Sequence, residues 1–474
     1  MGTSGGDRPA SPTACLAPST ALYLRPDGYV AACCGIANVL GRVTGPERRS
    51  LREIWDGAAA ERLRDALAAS DYGLGCWECR SGVEAGRRSR SLAASFDRYA
   101  ASTGDYPALI DFAMSNRCNL ACVMCNGGLS STIRRTRDGR PPLAPAYDDR
   151  FFDELGEFLP HLERALFKGG EPFLARENHR VWDDLTRLGV GCEVSVTTNG
   201  TVWGRDVERY LEELAMDVIV SVDAVDDEVL RAIRVGVDPD RLWSNVDRFI
   251  EVTQRTGATV ELCMCLMAGN WSELPGFLTV ADRLGTRAKI IWVDGPRRFD
   301  LARLPLPERR SALDALRRRD DEMRSLGPEA AREWAAVLDR LEQTTSERST
   351  AVTISSPGAS LPGPVALPDQ PFELVFHHEV VRRVNAPDWA AWLRPDSWIG
   401  IGLEQVMTHF ATTTGGTLRI DMTTNDNGAH VANLTFEDDG REPTRLLAVL
   451  QPADDDSDPE SRLVVTRADS HALP

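Results

Sequence analysis

Between residues 106 and 295 the apolar positions change rhythm in a regular way. Short runs rich in β-branched and aromatic residues, at Ala108–Ala113, Arg164–Phe167, Cys192–Thr197, Asp217–Val222, Thr259–Met264 and Lys289–Val293, read as strands. Between them, at 150–160, 177–188, 205–215, 227–233 and 241–256, apolar residues recur every three to four positions and read as amphipathic helices. Strand and helix in alternation predict an α/β fold with an all-parallel sheet. Six β/α units in this length predict a partial (β/α)6 barrel whose working end lies at the C-terminal ends of its strands.

The flanks read differently. Leu22–Leu24 and Tyr29–Ala31 surround Arg25-Pro-Asp-Gly28, which predicts two short strands joined as a hairpin. Ser50 and Glu53 have capping-box spacing before a helix that puts Leu51, Ile54 and Trp55 on one face, and 61–69 predicts a second helix. Residues 301–345 are rich in Arg, Glu and Leu and predict helix; Ser355–Pro364 reads as a linker. Beyond it, 402–411 predicts helix, and Gly416–Met422 with His430–Phe436 predicts a hairpin. The expected layout is a leader over 1–14, a small α+β unit over 15–90, the barrel over 105–300, a helical segment and linker over 301–350, and an α+β domain over 351–474.

Charge refines this picture only a little. The 474 residues carry 54 Lys+Arg against 71 Asp+Glu, a net charge of −17, and 8 basic against 18 acidic residues from 351 onward place −10 of it in the last domain. A protein that coats nucleic acid needs clustered cations, so a nucleic-acid partner is not expected. No apolar run approaches the roughly 18 residues of a membrane span, and the first residues lack the basic-then-apolar order of a secretory signal. A cytoplasmic protein without membrane attachment is expected, in which disulfides do not form a framework.

Eleven cysteines then require another explanation, and eight of them fall in two groups before residue 126. Cys118-Asn-Leu-Ala-Cys122-Val-Met-Cys125 puts three thiols on one loop directly after a predicted strand. Three thiolates hold three irons of a four-iron cubane and leave the fourth iron open to a ligand; a three-cysteine zinc loop is the plainer reading. Further on, Lys168-Gly-Gly-Glu-Pro172 follows the second strand, Thr197-Thr198-Asn199-Gly-Thr201 ends the third, and Ser221-Val-Asp223 ends the fourth. Cys263 and Cys265 lie two apart on the fifth and share a face.

These segments, in this order, resemble the radical S-adenosylmethionine (SAM) superfamily. The resemblance implies that Cys118, Cys122 and Cys125 carry a 4Fe-4S cluster. It implies that Gly169, Gly170, Glu171 and Pro172 receive the methionine amino group of SAM. Thr198 and Asn199 fall in the segment that ends the family's third strand, and Ser221 and Asp223 would meet the ribose and carboxylate region, with Arg234 as a carboxylate partner; a buried serine and a helix-capping aspartate would look the same. Asn270, Trp292 and Asp294 are further cavity candidates. Cys263 or Cys265 would serve as hydrogen donor if their shared face lines the barrel, and as small core residues if it does not.

The N-terminal group resembles a SPASM/twitch auxiliary-cluster module, placed before the barrel instead of after it. By that resemblance Cys15, Cys76, Cys79 and one of Cys33 and Cys34 would hold a second 4Fe-4S cluster. Adjacent strand residues face opposite ways, so one of the pair faces the metal; a structural zinc is the alternative for this module. The implied activity is reductive cleavage of SAM to a 5′-deoxyadenosyl radical that abstracts hydrogen from a substrate C–H bond, with electrons from a flavodoxin or ferredoxin. The expected substrate is a peptide or natural-product precursor, which would be oxidised, cross-linked or epimerised. A carbohydrate or nucleoside dehydrogenase or epimerase is the second enzyme reading, and an iron–sulfur electron-transfer protein without SAM chemistry is the reading of another class.

Overall fold

The computed structural model describes residues 15–84, 88, 91–100, 104–293 and 296–346, and the strand segments 372–376, 379–384, 417–424, 430–437, 444–451 and 461–467. The expected leader, the 355–364 linker, the 402–411 helix and Asp294 lie outside the described residues. The chain forms two compact units: Met1–Trp292 with Ser311–Arg340, and Val293–Arg310 with Leu341–Pro474.

In the first unit, β1 (Ala21–Leu24), β2 (Tyr29–Ala31) and β3 (Gly41–Arg42) precede the helices α1 (Leu51–Trp55), α2 (Ala58–Ala68) and α3 (Trp77–Glu84). The cap of α1 has both halves of the expected box, with Glu53 N–H donating to Ser50 Oγ at 3.2 Å and Ser50 N–H donating to Glu53 Oε2 at 2.8 Å. Then come β4 (Leu109–Phe112), α4 (Ser131–Thr136), α5 (Asp149–Phe158), β5 (Arg164–Phe167), α6 (Arg176–Leu188), β6 (Glu193–Thr198), α7 (Arg205–Leu214), β7 (Asp217–Ser221), α8 (Asp227–Ile233), α9 (Pro239–Thr256), β8 (Val260–Leu266), α10 (Leu274–Arg283) and β9 (Arg287–Trp292). Strands β4 to β9 pair in sequence order and all in parallel.

The sheet is larger than the rhythm of the barrel segment predicts. It has nine strands in the order β3-β2-β1-β4-β5-β6-β7-β8-β9, because β1 pairs in parallel with β4, from Ala21 opposite Leu109 to Leu24 opposite Phe112. An open barrel leaves its first strand with an unpaired edge. Here the antiparallel N-terminal hairpin covers that edge and becomes part of the same sheet. At the other end, Glu333 Oε2 accepts the N–H of Ile290 in the edge strand β9 at 3.1 Å.

Alternation along the strands gives the sheet two distinct faces. Ile110, Phe112, Ala165, Phe167, Val194, Val196, Val218, Val220, Leu262 and Met264 point one way and are buried under the helices. Phe112 stacks on Phe167 at 4.7 Å, and Phe167 meets Trp182 of α6 edge-on at 5.3 Å. Burying an aromatic of this size stabilises the fold by about 1.5–3 kcal/mol. The other face carries Asp111, Ser221, Glu261, Cys263, Cys265 and Lys289 among its residues.

The second unit contains a six-stranded sheet in the order β11-β10-β15-β14-β13-β12. Its strands are β10 (Phe372–Phe376), β11 (Glu379–Val384), β12 (Thr417–Thr424), β13 (His430–Glu437), β14 (Thr444–Gln451) and β15 (Ser461–Arg467). The expected hairpin is β12 with β13, antiparallel from Thr417 opposite Glu437 to Thr424 opposite His430.

Candidate functional site

The loop that follows β4 carries Cys118, Cys122 and Cys125, all half-buried. Its backbone is tied down on three sides. Cys118 N–H donates to Ser131 Oγ at 3.1 Å, and Thr132 Oγ1 donates back to Cys118 O at 2.8 Å. Ser130 Oγ, the cap of α4, donates to Leu120 O at 2.7 Å. Ala121 and Val123 donate to Val235 O and Ile233 O, each at 2.9 Å, which zips the loop to the end of α8. Arg137 donates to Cys125 O. Burial and the neighbouring thiols push Cys125 up to about 12, and burial also raises Cys118 and Cys122. Such thiols become thiolates only when a metal supplies the opposing charge.

Next to this loop the Gly169-Gly170 turn allows a very close approach of backbones. Both residues have positive φ, +79° and +56°. A Cβ on Gly170 would lie 2.5 Å from Arg117 O, and one on Gly169 would lie 2.9 Å from Ala113 Cβ. Glu171 N–H donates to Arg117 O at 2.7 Å, so the turn and the cysteine loop are joined directly. The Glu171 side chain is fully buried. It accepts from Thr198 Oγ1 at 2.8 Å, Asn199 N–H at 2.7 Å and Phe173 N–H at 3.2 Å. Burial pushes its pKa up to about 7 against those three donors.

Asn199 closes a ring of side chains around the loop. Its Nδ2 donates to Asn119 Oδ1 at 2.9 Å, Asn119 Nδ2 donates to Thr201 Oγ1 at 2.8 Å, and Thr201 Oγ1 donates to Asn199 Oδ1 at 2.6 Å. Asn199 Nδ2 also lies 3.8 Å from Cys118 Sγ. On the opposite side Arg234 Nε pairs with Asp223 Oδ2 at 2.8 Å, both groups almost fully buried. Arg234 Nη1 reaches Cys122 Sγ at 4.0 Å. Burial opposes its charge, but Asp223 and the nearby thiols hold the guanidinium above its usual range. Cys265 N–H donates to Asp223 Oδ1 at 2.8 Å. Burial, then Asp223, raises both Cys263 and Cys265, and Cys265 also feels the charge of Cys122.

Other residues take places that the linear pattern does not give. Lys168 Nζ pairs with Asp111 Oδ2 of β4 at 2.6 Å and sits over the Tyr23 ring of β1 at 5.5 Å. Asn270 is not a cavity residue: it is fully buried and donates to Asp223 O at 2.7 Å and Cys265 O at 3.0 Å while accepting from Met267 N–H at 2.7 Å. Trp292 points with the buried outer residues of β9, and Arg340 lies over its ring at 4.4 Å. Thr198 is buried and bonded to Glu171, and Pro172 starts the short helical turn behind it. Ser221 ends β7 opposite Cys263. Cys192 lies just ahead of β6 and is half-buried, not a core residue as its position at a predicted strand start implies.

The N-terminal cysteines form a separate site. A cavity is lined by Cys15, Cys33, Cys76 and Cys79, walled by Tyr72 and Phe96 among other apolar residues. Cys34 is exposed and lies outside that lining. Burial pushes Cys15 up to about 11 and Cys76 up to about 12, and raises Cys33 as well. Among the described residues no three His, Cys, Asp or Glu side chains close around a single-ion position.

Residues to which the sequence pattern gave no role are Asn119, Thr201, Ser130, Ser131, Thr132, Asp111 and Lys168. The signal available for Lys168 was its rarity, since it and Lys289 are the only lysines among 54 basic residues.

Comparison with known proteins adds the following. Residues 112–274 match the radical SAM superfamily, and residues 15–80 match the SPASM iron–sulfur cluster-binding domain. A probable GTP 3′,8-cyclase of Archaeoglobus fulgidus is 29% identical over 185 residues, 37% of this chain and 56% of that protein. One of Methanocaldococcus jannaschii is 22% identical over 186 residues, 38% of this chain and 56% of that protein. The chain thus spans just over half the length of these curated relatives. Among solved structures, Streptococcus suis SuiB bound to precursor peptide SuiA aligns over 51% of this chain and 59% of its own, at 15% identity and TM-score 0.34. Native anSMEcpe with bound AdoMet aligns over 44% and 58%, at 18% identity and TM-score 0.34.

Proposed function

We propose that this chain, which carries a SPASM domain ahead of a radical SAM domain, uses the 118–125 loop to start hydrogen abstraction from a substrate held on the concave face of its sheet. The family implies a 4Fe-4S cluster, SAM and an auxiliary cluster. When bound, the first cluster supplies the electron that cleaves SAM to methionine and a 5′-deoxyadenosyl radical. The observation that carries the reading is the junction of three thiols with the Gly169-Gly170 turn, which a Cβ at either glycine would block. In this reading Cys118, Cys122 and Cys125 hold the iron, and the glycine backbone receives the methionine portion of SAM. Glu171 works chiefly by fixing Asn199 and Thr198, since three of its acceptor positions are already taken.

After abstraction the substrate carries a carbon-centred radical. Loss of one electron and one proton from it would be net oxidation, and Cys15, Cys33, Cys76 and Cys79 would hold the auxiliary cluster that would take the electron. The substrate radical can instead take a hydrogen atom from Cys265 Sγ, which inverts the carbon and leaves a thiyl to be reduced. Cys265 is the better placed of the two thiols, because it lies near Cys122 while Cys263 is buried deeper in the strand. A peptide or natural-product precursor is the substrate class we favour, and the polar concave face with Asp111, Lys168, Glu261 and Lys289 suits a substrate rich in amide and hydroxyl groups. The relatives described as GTP 3′,8-cyclases favour a nucleotide as the second reading.

Anaerobic reconstitution followed by reduction with SAM tests the chemistry. The expected result is roughly eight irons per chain, as two cubanes require, with release of 5′-deoxyadenosine. A full iron complement without 5′-deoxyadenosine overturns the enzyme reading in favour of an electron-transfer protein. Stimulation of 5′-deoxyadenosine release by GTP, and not by a synthetic precursor peptide encoded beside the gene, selects the nucleotide reading. For epimerisation, Cys265→Ala stalls turnover and leaves the abstracted position unquenched; normal product from that variant removes the thiol as donor.

A further inference from the structure

Two polar side chains approach the sulfur atoms of the 118–125 loop, and each is held there by a second group. The amide of Asn199 is oriented without ambiguity, because its Oδ1 accepts from both Thr201 N–H at 3.0 Å and Thr201 Oγ1 at 2.6 Å. Its Nδ2 must therefore face the loop, where it meets Asn119 Oδ1 and Cys118 Sγ. The guanidinium of Arg234 is ion-paired with Asp223, Nε lying 2.8 Å from Oδ2, and Asp223 Oδ1 accepts from Cys265 N–H. That leaves Nη1 against Cys122 Sγ. Cys125 has no such donor to its sulfur among the described contacts: its Sγ lies 3.7 Å from the carbonyl of Asn126, and Arg137 acts on it only through its charge.

We propose that Asn199 and Arg234 are positioning residues for the loop cluster, donating to the thiolates of Cys118 and Cys122 and favouring its reduced state. This rests on the cluster-bearing role proposed above for the loop. Reduction adds one negative charge to a cluster and its sulfur ligands. A buried cation at one thiolate and an oriented N–H at another stabilise that charge, since hydrogen bonds to sulfur and nearby charge set the reduction potential. Arg234 has the larger effect because it contributes a full charge in a water-poor setting. Its partner Asp223 also acts on Cys122 and offsets part of that charge, with Arg234 the stronger of the two at the sulfur. The arrangement also gives Arg234 a task other than binding the carboxylate of SAM.

The test is a redox titration of the reconstituted full chain, followed by low-temperature EPR, with the loop signal identified as the one lost in Cys125→Ala. In Arg234→Gln the midpoint falls by the equivalent of at least tenfold in the reduction equilibrium, which is 59 mV for one electron. In Asn199→Ser it falls about threefold, and Arg234→Lys recovers most of the loss because the charge is kept. Iron content of each variant is measured in parallel. If Arg234→Gln fails to fold, Asn199→Ser and Arg234→Lys carry the test. An unchanged midpoint with full iron overturns the proposal. So does a tenfold weaker SAM affinity at an unchanged midpoint, which would assign both residues to SAM. Iron unchanged in Cys125→Ala would instead overturn the cluster reading itself.

Discussion

The two cysteine sites of this protein solve different problems. The 118–125 loop gathers three thiols from eight consecutive residues and surrounds them with polar groups: Ser131, Thr132, Asn199 and Arg234. The N-terminal site draws Cys15, Cys33, Cys76 and Cys79 from across 65 positions and walls them with Tyr72, Phe96, Leu63 and Leu67. Three ligands leave a coordination position for exchange, and a polar rim can orient what arrives there. Four ligands would complete a cubane in the proposed reading, and the surroundings of the N-terminal thiols are apolar. The thiols of both sets are half-buried, so the sites differ in the polar or apolar character of their surroundings, which suits the proposed division between a centre that binds SAM and one that passes electrons.

The strongest break in that comparison is Cys122→Ala. It removes a ligand from the site with none to spare, so 5′-deoxyadenosine release falls to background and iron drops from roughly eight to about four per chain. Retention of both would end the assignment of the loop. The double variant Cys76→Ala/Cys79→Ala also brings iron to about four but keeps SAM cleavage measurable, because the open site is untouched. Iron content unchanged in that variant would remove the auxiliary site.

Gly170→Ala sharpens the contrast without touching a thiol. The new methyl meets Arg117 O at 2.5 Å in a left-handed turn. The cost is about 1–3 kcal/mol of stability, read as a lower Tm, together with weakened SAM binding. A normal Tm and normal SAM affinity would show that the turn does not need its glycine.

The smallest effect is a pH dependence of the metal-free protein. Burial raises Glu171 from 4.5 to about 7. The native state therefore holds its proton more tightly than the unfolded chain. Stability linked to this group is fully present below about pH 4.5 and is lost as pH rises through about 7. The Tm falls across that window in the wild type, and this part of the slope flattens in Glu171→Gln. An equally steep curve in the variant would place the titration elsewhere.

Local chemistry was easy to read along the chain. Cys118, Cys122 and Cys125 occupy one loop, the Ser50–Glu53 cap is a four-residue pattern, and the six parallel strands each announce themselves by period. Pairing at a distance was not legible. Nothing in Ala21–Leu24 shows that it will lie beside Leu109–Phe112, 88 positions on, because parallel partners share no turn and leave no spacing signal. Asn270 and Trp292 failed as cavity candidates for a related reason. A residue after a strand can face the ligand or knit the backbone, and only its neighbours in space decide. Arg234 reads from its family position as a partner for a ligand carboxylate, and the structure adds the protein carboxylate of Asp223 beside it.

What the sequence determined by itself was the chemistry of contiguous segments: a thiol-rich loop after a strand, a glycine pair that clears space for a backbone, and the alternation that makes a parallel sheet. These depend on neighbours within a few residues, where covalent geometry fixes the distances. Tertiary structure decided which of two adjacent cysteines enters the N-terminal cavity, which nitrogen meets which sulfur, and that the hairpin completes the barrel sheet. Those outcomes depend on contacts between segments far apart in the chain, and they follow only from packing the buried faces together.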